Sequence, residues 1–183
     1  MLYYEQGEFE TSHNYFDQLF RTARFAQEAY IGMGNASLAQ NKLEVAREEY
    51  ENALQVNAGN EAASVGLGKV ALAEGNYEEA QTILTPIADR NTTDIGAEAQ
   101  FYLGKIQQDQ NNYEDAIGEY AKVKILFEAF DNWVSLAMYN SAESNILLGN
   151  RGDALAILNE IIENYPGTEA ASKAQSLIDQ TDS

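Results

Sequence analysis

The single histidine of this chain, His13, is the only side chain suited by its ordinary titration range to acid–base work near neutrality. It stands beside Ser12, a small residue at a helix crossing, and reads as a surface or helix-packed histidine rather than a catalytic one. The absence of cysteine removes any thiolate nucleophile. No Gly-x-Ser-x-Gly elbow, phosphate-cradling loop or dinucleotide fingerprint occurs either. Carboxylates are the remaining candidates, as hard oxygen ligands for a cation. Yet Asp109, Asn111 and Tyr113 break the spacing of a calcium loop, and pairs such as Glu48–Glu49 and Glu78–Glu79 fall on outer helix faces, where acids are solvated charge. The residue types therefore predict no catalytic site, no metal and no cofactor.

With 29 acidic residues against 11 basic ones, the formal net charge is -18. Such a field repels phosphate backbones and anionic lipid headgroups, which argues against nucleic-acid and membrane-surface partners. Surface acid of this kind also occurs in proteins from salty environments. No stretch approaches the ~20 apolar residues of a membrane span, and residues 1–20 lack a basic start followed by an apolar run. An apolar content of 45% excludes a disordered chain, so the acids must decorate a packed core.

The elements of that core are legible from a recurring small residue. Ser12, Ala46, Ala80, Ala116 and Ala154 are spaced 34, 34, 36 and 38 residues apart. Five residues before each stands a turn former (Gly7, Asn41, Gly75, Asn111, Gly149), and four residues after each a bulky one (Phe16, Tyr50, Leu84, Tyr120, Leu158). Two helices and two short turns add up to about 34 residues, so each period is a helix pair. The small residue marks the crossing within the pair. Twelve residues earlier Gly34, Gly68 and Gly104 mark a second crossing, and Ser141–Ala142 take that place in the last pair.

This pattern resembles the tetratricopeptide repeat (TPR) family: a Leu-Gly pair, a turn, an aromatic, then an alanine followed by bulky residues. Ser37, Ala71, Gln107 and Asn145 stand where the family prefers an aromatic, and Pro166 alone fills the closing proline slot. The resemblance implies one domain over residues 1–183, an all-α right-handed α-solenoid of antiparallel helix pairs with a C-terminal capping helix. A partial repeat is expected at 1–23, full repeats at 25–58, 60–92, 94–128 and 131–166, and the cap at 168–179. Helices are expected near 9–22, 25–39, 43–57, 61–74, 77–89, 94–109, 113–127, 131–148 and 151–164. Pro86 predicts a kink or early end in its helix. The two-residue excess before Ala116 is expected in the loop near Asn91. The four-residue excess before Ala154 is expected as a lengthened helix and turn that lets Trp133 pack over the joint.

In such arrays the first helix of each pair lines the concave side. The register places Ile31, Val65, Phe101 and Tyr139 there, with Asn35, Lys69, Lys105 and Glu143 one turn later. These are the candidate groove residues: an apolar and aromatic stripe with two lysines one repeat apart, able to orient acidic groups or the carboxylate of an extended peptide. The implied partner is a protein or peptide, and the implied function a non-catalytic interaction scaffold. The chaperone-binding subclass clamps a C-terminal carboxylate. Asn35 matches one member of that clamp, but Ile31, Ala62, Gly66, Glu98 and Tyr102 occupy the others, so a chaperone tail is not the expected ligand.

Residues 129–183, with Trp133, Ala137 and the ending Tyr165-Pro166-Gly167-Thr168, resemble bacterial cell-envelope members, including the periplasmic Tol-Pal coordinator and outer-membrane assembly lipoproteins. They lean the reading toward the periplasm or cell envelope. Counting back from Ser12, residues 2–6 are only the end of a first helix. The expectation is therefore a start placed within a longer protein, with any signal or anchor upstream. The strip around Phe9, Phe16 and Phe20 then leaves self-association as a homodimer open, and a regulatory arm of a larger enzyme is the other alternative. At the far end Thr168 with Glu169 can cap the last helix.

Overall fold

The computed structural model describes residues 25–181, so Ser12, His13, Phe9, Phe16, Phe20 and the partial repeat lie outside the described residues. Among the described residues every regular element is a helix. They are α1 (Ala26–Ala39), α2 (Leu43–Val56), α3 (Glu61–Ala73), α4 (Tyr77–Arg90), α5 (Asp94–Asp109), α6 (Tyr113–Leu126), α7 (Asp131–Leu147), α8 (Arg151–Asn164) and α9 (Glu169–Thr181). The chain divides into two compact units between Leu84 and Thr85.

The turns inside the pairs share one construction. Asn41, Gly75, Asn111 and Gly149 all adopt positive φ, at 57°, 78°, 64° and 83°. Only glycine and, less readily, asparagine visit that region without strain. Each turn is then locked by an amide that reaches back five residues: Lys42 to the Ser37 carbonyl, Asn76 to Ala71, Asn112 to Gln107 and Asn150 to Asn145, at 2.8–2.9 Å. These bonds satisfy helix-end carbonyls that would otherwise be orphaned. The loops between pairs supply N-caps instead. The Asn60 side chain accepts from the Ala63 amide at 2.9 Å, and Thr168 Oγ1 accepts from the Ala171 amide at 3.2 Å, as the C-terminal sequence predicts.

In the first unit α1 packs on α2, α2 on α3, and α1 on α3. Ala46, Tyr50, Ala53 and Ala80 have no exposure. The small residues work as the period implies. A Cβ built on Gly34 would stand 2.7 Å from Tyr50 Cε1, and one on Gly66 would strike the same ring, so Tyr50 is wedged between two glycines. Gly68 makes the same allowance for Leu84.

In the second unit α5 packs on α6 and α7, α6 on α7, α7 on α8, and α9 on both α7 and α8. One core joins Ala116, Tyr120, Val123, Val134, Ala154, Leu158 and Ile161. Ala170, Ala171 and Ala174 of α9 close it, with Leu177 and Ile178 partly buried against it. Asn145, one of the residues in the aromatic slot, is buried and offsets its desolvation by bonding its own helix, Nδ2 to the Ser141 carbonyl at 3.0 Å. Ser37, in the same slot of the first repeat, is buried with its hydroxyl unpartnered.

Two local expectations are corrected. The early end expected at Pro86 does not occur, for α4 continues to Arg90. Pro86 is exposed, so its ring meets solvent, and the helix gives up one backbone hydrogen bond rather than its last turn. The two-residue excess before Ala116 is not in the Asn91 loop. That loop is shorter than its counterpart, and α5 has 16 residues where α3 has 13. The reason is a tight connection in which Thr93 caps α5 and the Asn91 carbonyl lies against Gly96, leaving no room there for a Cβ. The excess before Ala154 does lie in a lengthened helix, since α7 has 17 residues. Trp133 packs as expected: its ring is 5.5 Å from Phe101 and its Nε1 donates to Asp94 Oδ1 at 2.8 Å, tying α7 to α5.

Candidate functional site

Contacts of α1 with α3, of α5 with α7 and of α7 with α9 place the first helices side by side within each unit. The side chains they present set what each face can do.

In the first unit Ile31, Asn35 and Lys69 are half-buried, but Val65 is only 1% exposed and belongs to the core. Asn35 has an internal task as well, because its Oδ1 accepts from the buried Tyr50 hydroxyl at 2.7 Å.

In the second unit Phe101 is likewise core, at 5% exposure, covered by the rings of Tyr102, Tyr120 and Trp133. The expected apolar stripe is thus interrupted at Val65 and Phe101, which support the face from beneath. The polar positions do come together. Lys105 Nζ donates to Asp109 Oδ1 at 2.7 Å and approaches Gln108 Oε1 at 3.4 Å. Gln108 Oε1 also accepts from the buried Tyr120 hydroxyl at 2.9 Å. On α7 the Glu143 carboxylate stands one turn after Tyr139, on the same helix face. Burial, reinforced by that carboxylate, pushes the Tyr139 phenol up to about 12. Tyr120 is raised further, first by burial and then by the charges of Asp109 and Glu143. Lys105, Gln108 and Asp109 of α5, Tyr120 of α6, and Tyr139 and Glu143 of α7 thus form one polar cluster. Tyr139 also borders a shallow cleft of about 300 Å³ whose far wall is Glu169, Ser172, Lys173, Ser176, Leu177 and Gln180 of α9.

Several of these participants escape the repeat register. Asp109 could have been found as the acid four residues after Lys105, the spacing of helical ion pairs. The α9 wall of the cleft carries no such signal. Arg47 of α2 is another omission; it bridges Glu74 and Glu79 at 2.7 and 2.9 Å, joining the first pair to the second inside the first unit. Among the described residues no group of three or more His, Cys, Asp or Glu is placed to hold a metal ion. No helix among them is long and apolar enough to cross a membrane.

Three tetratricopeptide repeat family models match, over residues 1–64, over 37–99, and over 98–127 with 136–168. The chain belongs to the tetratricopeptide repeat family. Members of the TPR family are generally non-catalytic scaffolds that bind protein or peptide partners, and none of the matching models is of an enzyme family. No curated protein matches the chain. Among solved structures it is similar to YrrB, described as a TPR protein with an unusual peptide-binding site, at 23% identity over 96% of this chain and 87% of that one, with a TM-score of 0.58. It is similar to a TPR protein of Thermus thermophilus at 15% identity, covering 96% and 93%, with a TM-score of 0.79. A putative kinesin light chain of Podospora anserina with TPR-like repeats gives 15%, 95% and 92%, and a TM-score of 0.63. At these identities the likeness establishes the fold.

Proposed function

We propose that this TPR chain is an interaction scaffold that receives an extended protein or peptide segment on the face of its first helices. The observation that carries the proposal is the open cleft between Tyr139 of α7 and Ser172, Ser176 and Leu177 of α9, with Glu143 one turn further along α7 on the Tyr139 face. A preformed groove of that kind lowers the ordering cost of capturing a segment. The peptide-binding site of YrrB supports the same reading by analogy of fold. Ile31, Asn35 and Lys69 serve the first unit in this proposal, and Lys105, Tyr139 and Glu143 the second, with Val65 and Phe101 holding the face rigid. The resemblance of residues 129–183 extends the proposal to a bacterial cell-envelope setting; recovery of the native protein in the cytosolic fraction would remove that extension.

The test is site-specific photocrosslinking in native extract. A photoreactive phenylalanine analogue at position 139 should form an adduct with a partner protein, while the same group at the exposed position 159 on α8 should not. The reverse pattern would place binding on the second helices and sink the proposal. An adduct of the chain with itself at position 139 would assign the face to self-association.

A further inference from the structure

We infer that the segment received on the first-helix face of the second unit is basic, a lysine or arginine of the partner resting against Tyr139 and Glu143. The inference builds on the proposed use of that face and adds the sign of the charge it accepts.

The cations near this face are already engaged within the fold. Lys105, which the register offers as an anchor for acidic groups, is bonded to Asp109 at 2.7 Å on its own helix. Lys173, beside the α9 cleft, is bonded to Glu169 at 2.7 Å. Both are matched one to one. Glu143 is not: it is half-buried one turn after Tyr139, and no lysine or arginine among the described residues stands within salt-bridge distance of it. Its charge and that of Asp109 are felt at the buried Tyr120 phenol, so the carboxylates add to one another there.

A carboxylate drawn partly out of water without a cation beside it is incompletely compensated, and an incoming cation supplies what is missing through a charge-assisted hydrogen bond. The Tyr139 ring beside it offers a cation an aromatic face as well. The charged groups on the α9 wall of the cleft, Glu169 and Lys173, are matched to each other at 2.7 Å, and Ser172, Ser176 and Leu177 beside them suit the partner's flanking residues. The long-range field has the same sign. A net charge of -18 draws basic segments in and holds acidic ones off, and an acidic segment that did arrive would meet Glu143 with no cation beside it to offset the repulsion.

The experiment uses the full chain, isotope-labelled for NMR, and short synthetic peptides of one sequence background carrying arginine, glutamate or neither. The arginine peptide should shift the amides of Tyr139, Glu143 and the α9 cleft. Glu143→Gln should weaken it by about tenfold, the order expected for one partly desolvated charge pair. Glu163→Gln, the same change in net charge at an exposed site on α8, should leave its affinity within about twofold, as expected of a solvated surface charge. Circular dichroism confirms that both variants remain folded. Equal weakening by the two variants would mean diffuse attraction and overturn the inference. Comparable binding of the glutamate or neutral peptide at the same residues would overturn the sign while leaving the face as the docking site. Shifts confined to α6 and α8 would overturn both.

Discussion

Gly104 and Gly118 are both helical glycines, and their surroundings give them opposite energetics. A Cβ on Gly104 would lie 2.5 Å from two carbons of the Tyr120 ring. That ring is held by its hydroxyl on Gln108 and packs 5.6 Å from Phe101, so it has nowhere to retreat. Gly104→Ala should therefore destabilise the fold by about 1–3 kcal/mol, the usual cost of overpacking. Nothing lies within 4 Å of a Cβ on Gly118, so Gly118→Ala should stabilise by about 0.5–1 kcal/mol through helix propensity alone. Urea midpoints of the two variants decide it, and a shift in the same direction for both would mean that the crossing is not what Gly104 serves. Tyr139 gives a second residue-scale expectation. Its phenol, raised from 10.0 to about 12, keeps its proton in the folded state at pH values where the unfolded chain has lost it. Between about pH 10 and 12 the unfolded state thus binds fewer protons, and stability falls as pH rises. Below that window both states are protonated and the contribution is complete. Tyr139→Phe should flatten the fall in urea midpoint between about pH 10 and 12; an unchanged slope would assign the alkaline loss to other groups.

At the scale of elements, α4 carries a proline at its tenth position without ending. The Thr82 carbonyl consequently has no amide four residues on to accept from, and the substitution that restores one faces solvent rather than core. Pro86→Ala should raise stability by up to about 3 kcal/mol, the propensity difference inside a helix, and slow amide exchange over residues 83–90. Faster exchange there would show that the proline ring itself supports the packing. The same helix marks where sequence reasoning stops. The pairs were legible because Asn41, Gly75, Asn111 and Gly149 punctuate them and Ala46, Ala80, Ala116 and Ala154 repeat, and both signals are local. The length of α5 was not, because it depends on the Asn91 carbonyl folding onto Gly96, a contact between loop and helix that no period encodes. The candidate face was legible in outline for a similar reason. Register places Tyr139 and Glu143 on one helix face, where both are half-buried, but it cannot tell an inner-face position from one turned slightly into the core. Phe101 is decided by Trp133 lying over it, and Val65 by its near-complete burial among the first unit's helices.

For the molecule as a whole the dominant electrostatic fact is the excess of 29 acids over 11 bases. The ion pairs among the described residues, such as Arg47–Glu74 and Lys124–Glu160, lie near the surface with partly exposed side chains. Pairs of that kind are worth about 0–1 kcal/mol each and are screened by salt. The repulsion among uncompensated carboxylates is also screened, over a Debye length of about 10 Å at 0.1 M. The two effects of salt oppose each other: it weakens each pair a little and relieves a repulsion that acts among all the surplus acids together. With acids outnumbering bases more than two to one, the relief of repulsion outweighs the weakening of the pairs. Tm should therefore rise as sodium chloride goes from about 10 to 150 mM, over which the Debye length shrinks from about 30 to 8 Å. Arg47→Gln should steepen that rise, because removing a cation that bridges Glu74 and Glu79 leaves both acids unpaired and adds to the repulsion that salt relieves. A Tm that falls with salt in the parent chain, or a shallower rise in the variant, would mean that the ion pairs outweigh the surplus charge. The acidity would then be tied to specific partners within the fold rather than spread as a field around it.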